Sequence, residues 1–138
     1  MISSRKLEDL LPIVEQKARQ FVANCAAIGI TVLIYCTYRD NEAQDDLYAS
    51  GRTKPGLRVT NAKGGDSFHN YRCAFDFVPT VHGKPQWNDA VAYKKCADIA
   101  IALGFEWAGN WKGFKETAHL QYTGGLSLAD LKAGHVPS

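Results

Sequence analysis

Two histidines in this sequence each lie close to a carboxylate, at spacings that could serve metal or acid–base chemistry. His69 follows a polar loop and precedes Asp76, which stands among apolar residues that predict a strand. Because burying a bare carboxylate is very costly, Asp76 needs a strong partner, and a metal ion would supply one. Pairing with a lysine or arginine, or a strand face open to solvent, explains this aspartate equally well.

The second cluster consists of Glu116 and His119. An acid three residues before a histidine is common by chance, and this is not the helical zincin motif, which has two histidines four residues apart. Together with His69 and Asp76, however, His119 completes the three nitrogen or oxygen ligands that a catalytic zinc ion uses. Glu116 would then be an extra carboxylate beside the metal, able to take a proton from water.

The remaining histidines and the cysteines predict no site. His82 lies in a turn and His135 near the C-terminus, so both are expected to be exposed. No pair of cysteines has the C-x-x-C spacing of a zinc or redox site, and their apolar surroundings predict buried free thiols in a reducing compartment. These residues are Cys25, Cys36, Cys73 and Cys96.

Apolar residues at helical spacing, with capping residues before them and glycines after them, predict the helices that must frame these side chains. The predicted helices run over residues 7–11, from Pro12 to Gly29, from Asp40 or Asn41 to Gly51, from Asn88 to about residue 103, and from Ser127 to Gly134.

Apolar or alternating segments predict three strands, at residues 30–36, 73–78 and 118–122. Residues 52–66 are expected to form a polar loop, residues 81–85 a turn, and residues 106–115 a loop or an edge strand. Helices around a small sheet indicate the α+β class.

Composition is typical of a globular protein with one domain over residues 1–138, of which 46% are apolar and 22% charged. No apolar run approaches the ~20 residues of a membrane span. The balance of 16 basic and 14 acidic residues gives no electrostatic case for nucleic acid. Because the N-terminus lacks the apolar core of a signal peptide, we expect the protein to fold in a cytosol. We also expect a monomer without stable membrane association.

The two clusters resemble the motifs of the VanY-like, LAS-type zinc peptidases of bacterial cell-wall peptides, most of all phage endolysins that are L-alanyl-D-glutamate peptidases. The first family motif, Ser-x-His followed after six residues by Asp, stands as Ser67, His69 and Asp76. The second, an acid followed after two residues by His, stands as Glu116 and His119. Further matching positions are Tyr38, Arg39, Gln44, residues 47–56, residues 59–62 and Ala74.

One position departs from the family pattern. The family usually has glycine where this chain has Arg72, between His69 and Asp76. The departure concerns the local turn and leaves both proposed ligands in place.

The resemblance implies a LAS-type fold like that of hedgehog and D,D-peptidase domains, with a small antiparallel sheet flanked by helices and no separate cell-wall-binding domain. It also implies one zinc ion, held by His69, Asp76 and His119, with Glu116 as the general base.

The resemblance further implies a catalytic role for Arg39 and substrate-binding roles for Ser67 and Gln44. Arg39 would stabilise the oxyanion or hold a substrate carboxylate, unless it forms a surface ion pair with a neighbouring acid. Ser67 would bond within the site or cap a turn, and Gln44 would contact substrate. Aromatic residues are more often part of the core, so Trp111 and Tyr38 are left outside the predicted site.

The function implied by the resemblance is hydrolysis of the peptidoglycan stem peptide, at the bond between L-alanine and D-glutamate, by a phage endolysin. Such an enzyme would stay in the host cytoplasm until holin-type release. A D-alanyl-D-alanine carboxypeptidase of the same fold is the first alternative. A non-catalytic zinc module is the second, and Glu116 argues against it because loss of the general base would mark that class.

Overall fold

The computed structural model describes residues 1–113 and 115–138 and shows helices packed around one antiparallel sheet. The α-helices are α1 (Pro12–Ala27), α2 (Asn41–Ala49), α3 (Ala90–Ala102) and α4 (Leu128–Lys132). The strands are β1 (Thr31–Cys36), β2 (Ala74–Val81), β3 (Lys84–Pro85), β4 (Glu106–Trp107) and β5 (His119–Gln121). Short 3-10 helices lie at Leu7–Asp9, Phe68–Tyr71 and Ala108–Asn110. The predicted α+β class is confirmed, and no helix among the described residues is long and apolar enough to cross a bilayer.

The central strand, β2, carries Asp76. The strand order is β1–β2–β5–β4, with β3 also paired to β2, and all pairs are antiparallel. In this register Asp76 lies opposite His119 of β5 and opposite Cys36 of β1. Because directly opposed residues of antiparallel strands project from the same face, the sheet itself brings these three side chains together.

A β-bulge at Tyr35 shifts the register of β1 just before it reaches Asp76. Ile34 lies opposite Phe77, yet Cys36 lies opposite Asp76, so Tyr35 is the extra residue. Without the bulge, strand alternation would place Tyr35 opposite Asp76 and turn Cys36 towards the other face. The bulge therefore brings a cysteine to the polar face of the sheet.

The other face of the sheet is covered by α1 and α3 and contains the hydrophobic core. Phe21 of α1 packs against Phe75 and Phe77 of β2, with ring centroids 5.5 and 5.2 Å apart, and all three are fully buried. Tyr93 of α3 adds a ring 5.3 Å from that of Phe77. The odd-numbered aromatic residues of β2 thus anchor the strand whose even-numbered Asp76 faces away from them.

The helix caps are largely as predicted, with one correction. Asp40 is the observed cap of α2, through a hydrogen bond from the amide of Ala43. The cap of α3, however, is Asp89 and not Asn88, because the Asp89 carboxylate accepts the hydrogen bond from the first turn of that helix.

Strand β2 extends further than the predicted strand at residues 73–78, and the turn after it is shorter than the predicted turn at residues 81–85. β2 continues to Val81, since His82 and Gly83 form a two-residue connection to β3 with backbone φ angles of 52° and 77°. Such a pair of positive φ values matches the tight turns that suit the twist of a hairpin. His82 is exposed, as expected, and so is His135. Of the segment predicted as loop or edge strand, β4 is the strand, and Phe114 lies outside the described residues.

Arg72 occupies a left-handed backbone conformation, with φ 61° and ψ 30°, directly after the 3-10 helix Phe68–Tyr71. This conformation accounts for the family preference for glycine, because a side chain is strained there. In this chain the Arg72 guanidinium donates to the carbonyl of Asp9 and stacks 3.8 Å above the centre of the Tyr38 ring. These contacts hold the turn without glycine, and Tyr38 therefore supports the fold beside the turn.

We predict that Phe21→Ala lowers the free energy of unfolding by about 3–5 kcal/mol, because it leaves a cavity between α1 and β2 that neighbouring rings cannot fill. Urea denaturation followed by circular dichroism measures the loss. The matched control is Val91→Ala on the exposed side of α3, which should change the free energy of unfolding by no more than about 0.5 kcal/mol. Equal effects of the two substitutions would contradict this description of the core.

Candidate metal centre

Two ring nitrogens converge on one carboxylate oxygen. His69 Nε2 lies 3.2 Å and His119 Nδ1 lies 3.3 Å from Asp76 Oδ1. The histidines are only 3% and 6% exposed. The structure therefore brings together the three residues that the sequence motifs nominated as metal ligands.

His69 is oriented by the backbone of the strand end. Its Nδ1 lies 2.7 Å from the carbonyl oxygen of Thr37, which can only accept, so the neutral ring carries its proton on Nδ1. The Nε2 lone pair is then free and points at Asp76. Ser67 fixes the start of this segment, because its hydroxyl accepts the amide hydrogen of His69. Of the two roles predicted for Ser67, the structure shows the capping one.

His119 is oriented by a side chain. Its Nε2 lies 2.9 Å from Gln121 Oε1, an amide oxygen that accepts, and this leaves Nδ1 as the lone-pair nitrogen facing Asp76. The ring of Trp111 lies 5.7 Å away and covers one side of the imidazole. His69 and His119 therefore expose opposite types of ring nitrogen to the same oxygen.

The buried carboxylate is held ionised by its surroundings. Burial by itself would raise the pKa of Asp76, but His69 and His119 hold that pKa well below its usual range. Burial likewise would lower the pKa of His69, yet the Asp76 carboxylate outweighs it and raises the pKa to about 10. Asp76 is thus held ionised by positive charge on its neighbours, and a metal ion would supply that charge in place of the His69 proton.

The donor set fits a divalent cation. With both histidines neutral, two lone pairs and a carboxylate would face one another, which is repulsive unless a positive charge lies between them. Two imidazole nitrogens and one carboxylate oxygen, with a cleft on the remaining side, are the ligands of catalytic zinc sites. The residues present therefore suit a metal with three protein ligands.

Cys36 lies beside the centre, although its sequence spacing predicted no site for any of the four cysteines. Its Sγ accepts from Arg39 Nη2 at 3.1 Å and lies 3.8 Å from His69 Nδ1. Burial acts to raise the pKa of this thiol, but His69 and Arg39 lower it overall. Cys36, His69 and Asp76 have ligand atoms within 4.8 Å of one another, so this trio is a second possible metal set. All four cysteines are buried and free, as expected.

Arg39 lines the cleft, and Gln44 does not. The Arg39 guanidinium lies 3.9 Å from Asp76 Oδ2, and within the part of the chain that the structure describes it forms no ion pair with a neighbouring surface acid. Gln44 is fully buried and accepts from Arg39 Nη1 at 2.8 Å, while its amide donates to the carbonyl of Ala62. The structure therefore corrects the predicted role of Gln44, because its polar atoms position Arg39 and are out of reach of a substrate.

Glu116 lies at the mouth of the centre on an irregular segment. Its Oε2 is 3.8 Å from His119 Nδ1, and its side chain remains 31% exposed. Hydrogen bonds that hold the segment include those from the Glu116 amide to the carbonyl of Ala108 and from Trp107 Nε1 to the carbonyl of Thr117. Glu116 can therefore meet a molecule in the cleft without being a member of the buried cluster.

Known proteins match this arrangement. The family described as D-alanyl-D-alanine carboxypeptidase, one of the M15 peptidases, matches residues 60–122, which include all three candidate ligands. The peptidoglycan L-alanyl-D-glutamate endopeptidase CwlK of Bacillus subtilis (strain 168) is 41% identical over 128 residues, covering 82% of this chain and 73% of that enzyme. The chain belongs to the M15 peptidase family.

Two further relatives extend the comparison. The L-alanyl-D-glutamate peptidase of Listeria phage A118 is 36% identical over 110 residues, which are 76% of this chain but only 35% of the phage enzyme. The vancomycin-resistance D,D-pentapeptidase VanY, solved in complex with Zn(II), aligns with a TM-score of 0.63 over 93% of this chain and 80% of that one, at 16% identity. This likeness confirms the predicted LAS-type fold.

The cleft of this M15 peptidase has a volume of about 970 Å³ above the metal centre. Its walls include Tyr35, Trp111 and Gln121, none of which the sequence analysis placed in the site. The apolar run of residues 30–36 predicts a buried strand, and this pattern does not show that Tyr35 faces the cleft. Gln121 had a usable signal, because a residue two positions after a ligand on a strand shares its face.

We predict that a divalent metal binds through His69, Asp76 and His119 without Cys36, because Cys36 lies beside the His69 nitrogen that already bonds the Thr37 carbonyl. With cobalt as the probe, His119→Ala should abolish stoichiometric binding, whereas Cys36→Ser should keep it.

The absorption spectrum of the cobalt protein distinguishes the two possible ligand sets. It should lack the charge-transfer band of a thiolate–cobalt bond, and His82→Ala in the exposed turn is the control that should change nothing. A thiolate band that disappears in Cys36→Ser would instead make Cys36 a ligand.

Proposed function

We propose that this M15 peptidase is a zinc endopeptidase that hydrolyses the L-alanyl-D-glutamate bond of the peptidoglycan stem peptide. The observation that carries the proposal is the convergence of His69 Nε2 and His119 Nδ1 on Asp76 Oδ1 at the floor of a cleft with Glu116 at its side. The activities for which CwlK and the phage A118 enzyme are named support the choice of bond.

The three ligands would hold one zinc ion, which supplies a Lewis acid that polarises an amide carbonyl and acidifies water. Glu116 performs the proton transfers in this proposal. Its Oε2 takes the proton of the attacking water and returns it to the nitrogen of the leaving amine. The partial exposure of Glu116 suits this role, because a carboxylate must reach both water and substrate.

Arg39 is the cationic group of the cleft nearest the centre. Its guanidinium is fixed by Gln44 on one side and by Cys36 on the other, so it is oriented before substrate arrives. A fixed planar guanidinium suits a carboxylate of the substrate or the negative charge that develops on the scissile carbonyl oxygen. We assign Arg39 to one of these anionic groups and Gln44 to positioning it.

Digestion of purified peptidoglycan tests the proposal. The endopeptidase should release fragments with a new amino terminus on glutamate, and chelation should stop the reaction until zinc is restored. Release of free D-alanine would identify the D-alanyl-D-alanine carboxypeptidase, the activity named in the matching family description. A protein that binds zinc but releases neither product would be the non-catalytic module.

We further propose that the enzyme acts in host lysis as a phage endolysin, staying in the host cytoplasm until holin-type release exposes the wall. The relative from Listeria phage A118 supports this role. Bacteria that express the protein should keep their turbidity until a permeabilising agent is added. Lysis without permeabilisation would contradict the release step.

We predict that Glu116→Gln lowers the initial rate of bond cleavage ~100- to 10,000-fold while zinc content stays at one ion per chain, because the amide keeps the size and loses the basicity. Glu116→Asp should keep part of the rate. The rate is measured as new amino termini released from cell walls, and the control is Glu8→Gln on the exposed surface. A near-normal rate in Glu116→Gln would assign the base to another group.

We predict that Arg39→Ala lowers kcat/KM about 10- to 100-fold, the effect expected for losing a hydrogen bond to a charged group. Arg39→Lys should fail to restore activity, because an ammonium cannot make both flanking contacts. Gln44→Leu should lower kcat/KM in the same direction with zinc content unchanged. Peptide hydrolysis rates measure these effects, and unaffected rates in Arg39→Ala would remove Arg39 from the mechanism.

A further inference from the structure

A continuous chain of hydrogen bonds runs from His119 through Gln121 to Glu106 at the surface of the sheet. His119 Nε2 lies 2.9 Å from Gln121 Oε1, and Gln121 Nε2 donates to Glu106 Oε2 at 3.1 Å. Gln121 is 6% exposed, whereas Glu106 is exposed to solvent. We call these three residues the His119–Gln121–Glu106 chain.

The sheet register builds this chain. His119 and Gln121 are two residues apart on β5 and therefore share a face. Glu106 of β4 lies directly opposite Gln121, as Asp76 of β2 lies opposite His119. On the other side of Gln121 the register places Ala74, whose small side chain leaves room for the amide.

The donors and acceptors of the His119–Gln121–Glu106 chain can be ordered in only one direction. An ionised Glu106 carboxylate can only accept, so the NH2 group of Gln121 must face it. The amide oxygen is then turned to His119 and must accept the Nε2 proton. The remaining nitrogen, Nδ1, is left with its lone pair facing Asp76.

The two histidines differ in how this state is set. For His69 the acceptor is a backbone carbonyl, which no side-chain substitution removes. For His119 the acceptor of the ring proton is the side-chain amide oxygen of Gln121. That oxygen faces the ring only in one orientation of the amide, and Glu106 selects this orientation. We infer that Gln121 and Glu106 are positioning residues that fix the ring orientation and tautomer of His119 for metal binding.

This inference rests on the metal site of the proposed function and has its own readout, the zinc dissociation constant, measured by competition with a chromophoric chelator. Gln121→Leu should weaken zinc binding about 10- to 100-fold, the usual effect of removing a group that orients a metal ligand. Glu106→Gln should weaken it less, because the amide of Gln121 can then take either orientation.

A charge exchange provides the sharpest variant. Gln121→Glu alone places two carboxylates against each other, and zinc binding should weaken. The double substitution Gln121→Glu/Glu106→Gln restores an acceptor for His119 and a donor for that acceptor, so zinc affinity should return towards the wild-type value. Both changes preserve size and polarity, so this pair keeps the test valid if Gln121→Leu fails to fold.

The matched control is Gln44→Leu, which also removes a buried amide near the centre but one bonded to Arg39 and not to a ligand. Its zinc dissociation constant should equal that of the wild type. In the zinc-loaded protein, the His119 Nε2–H resonance should be protected from exchange with water in NMR spectra and lose that protection in Gln121→Leu.

Wild-type zinc affinity in Gln121→Leu, or a double variant that binds no better than Gln121→Glu, would overturn the inference while leaving the metal site intact. A change confined to KM would also overturn it, since Gln121 would then be a substrate contact in the cleft wall. Failure of the wild-type protein to bind zinc would overturn both the metal site and the positioning role.

Discussion

The site depends on the carboxylate of Asp76, which its neighbours hold in the ionised form and whose position is fixed by the central strand. Asp76 lies on the central strand, between strands that carry a thiol and an imidazole opposite it, and its carboxylate keeps its charge in this buried setting. A largely buried anion needs compensation, and His69, His119 and Arg39 lie within 4 Å of the Asp76 carboxylate to provide it. The surrounding geometry follows from that demand.

The two faces of the sheet have different roles, since one packs in the hydrophobic core and the other carries the candidate site. On one face the rings of Phe21, Phe75 and Phe77 interlock and hold β2 at a fixed height against α1. On the other face the same strand presents Asp76 to its neighbours. Because close-packed cores resist small displacements, positions on the polar face inherit the rigidity of the apolar one. A metal site needs this rigidity, since a shift of a fraction of an ångström changes ligand geometry.

The motif residues and the fold class were predictable from sequence, whereas their neighbours were not. Both motifs are short: His69 and Asp76 lie within one segment, and so do Glu116 and His119. Their spacing can therefore be recognised directly in the sequence. The place of Cys36 beside Asp76 depends on a bulge, which changes the register of β1 without any signal in the alternation of apolar residues. The position of Gln44 behind Arg39 depends on how a helix packs against a loop, which the sequence pattern leaves open. Arg72 shows the converse case, because the departure from glycine was visible in sequence but its compensation by Asp9 and Tyr38 was not.

The ligands and the proposed base sit on different kinds of structure, and this separation has a consequence for specificity. Asp76 and His119 lie on paired strands and His69 on a capped turn, whereas Glu116 lies on an irregular segment held by only a few hydrogen bonds. Loops tolerate change that strands do not. We therefore expect the sheet that carries the candidate ligands to vary less between peptidases of this fold than the cleft walls do. In this chain the walls include residues 59–62, Trp111 and Glu116, so we expect differences in the choice of scissile bond to arise there and not in the sheet.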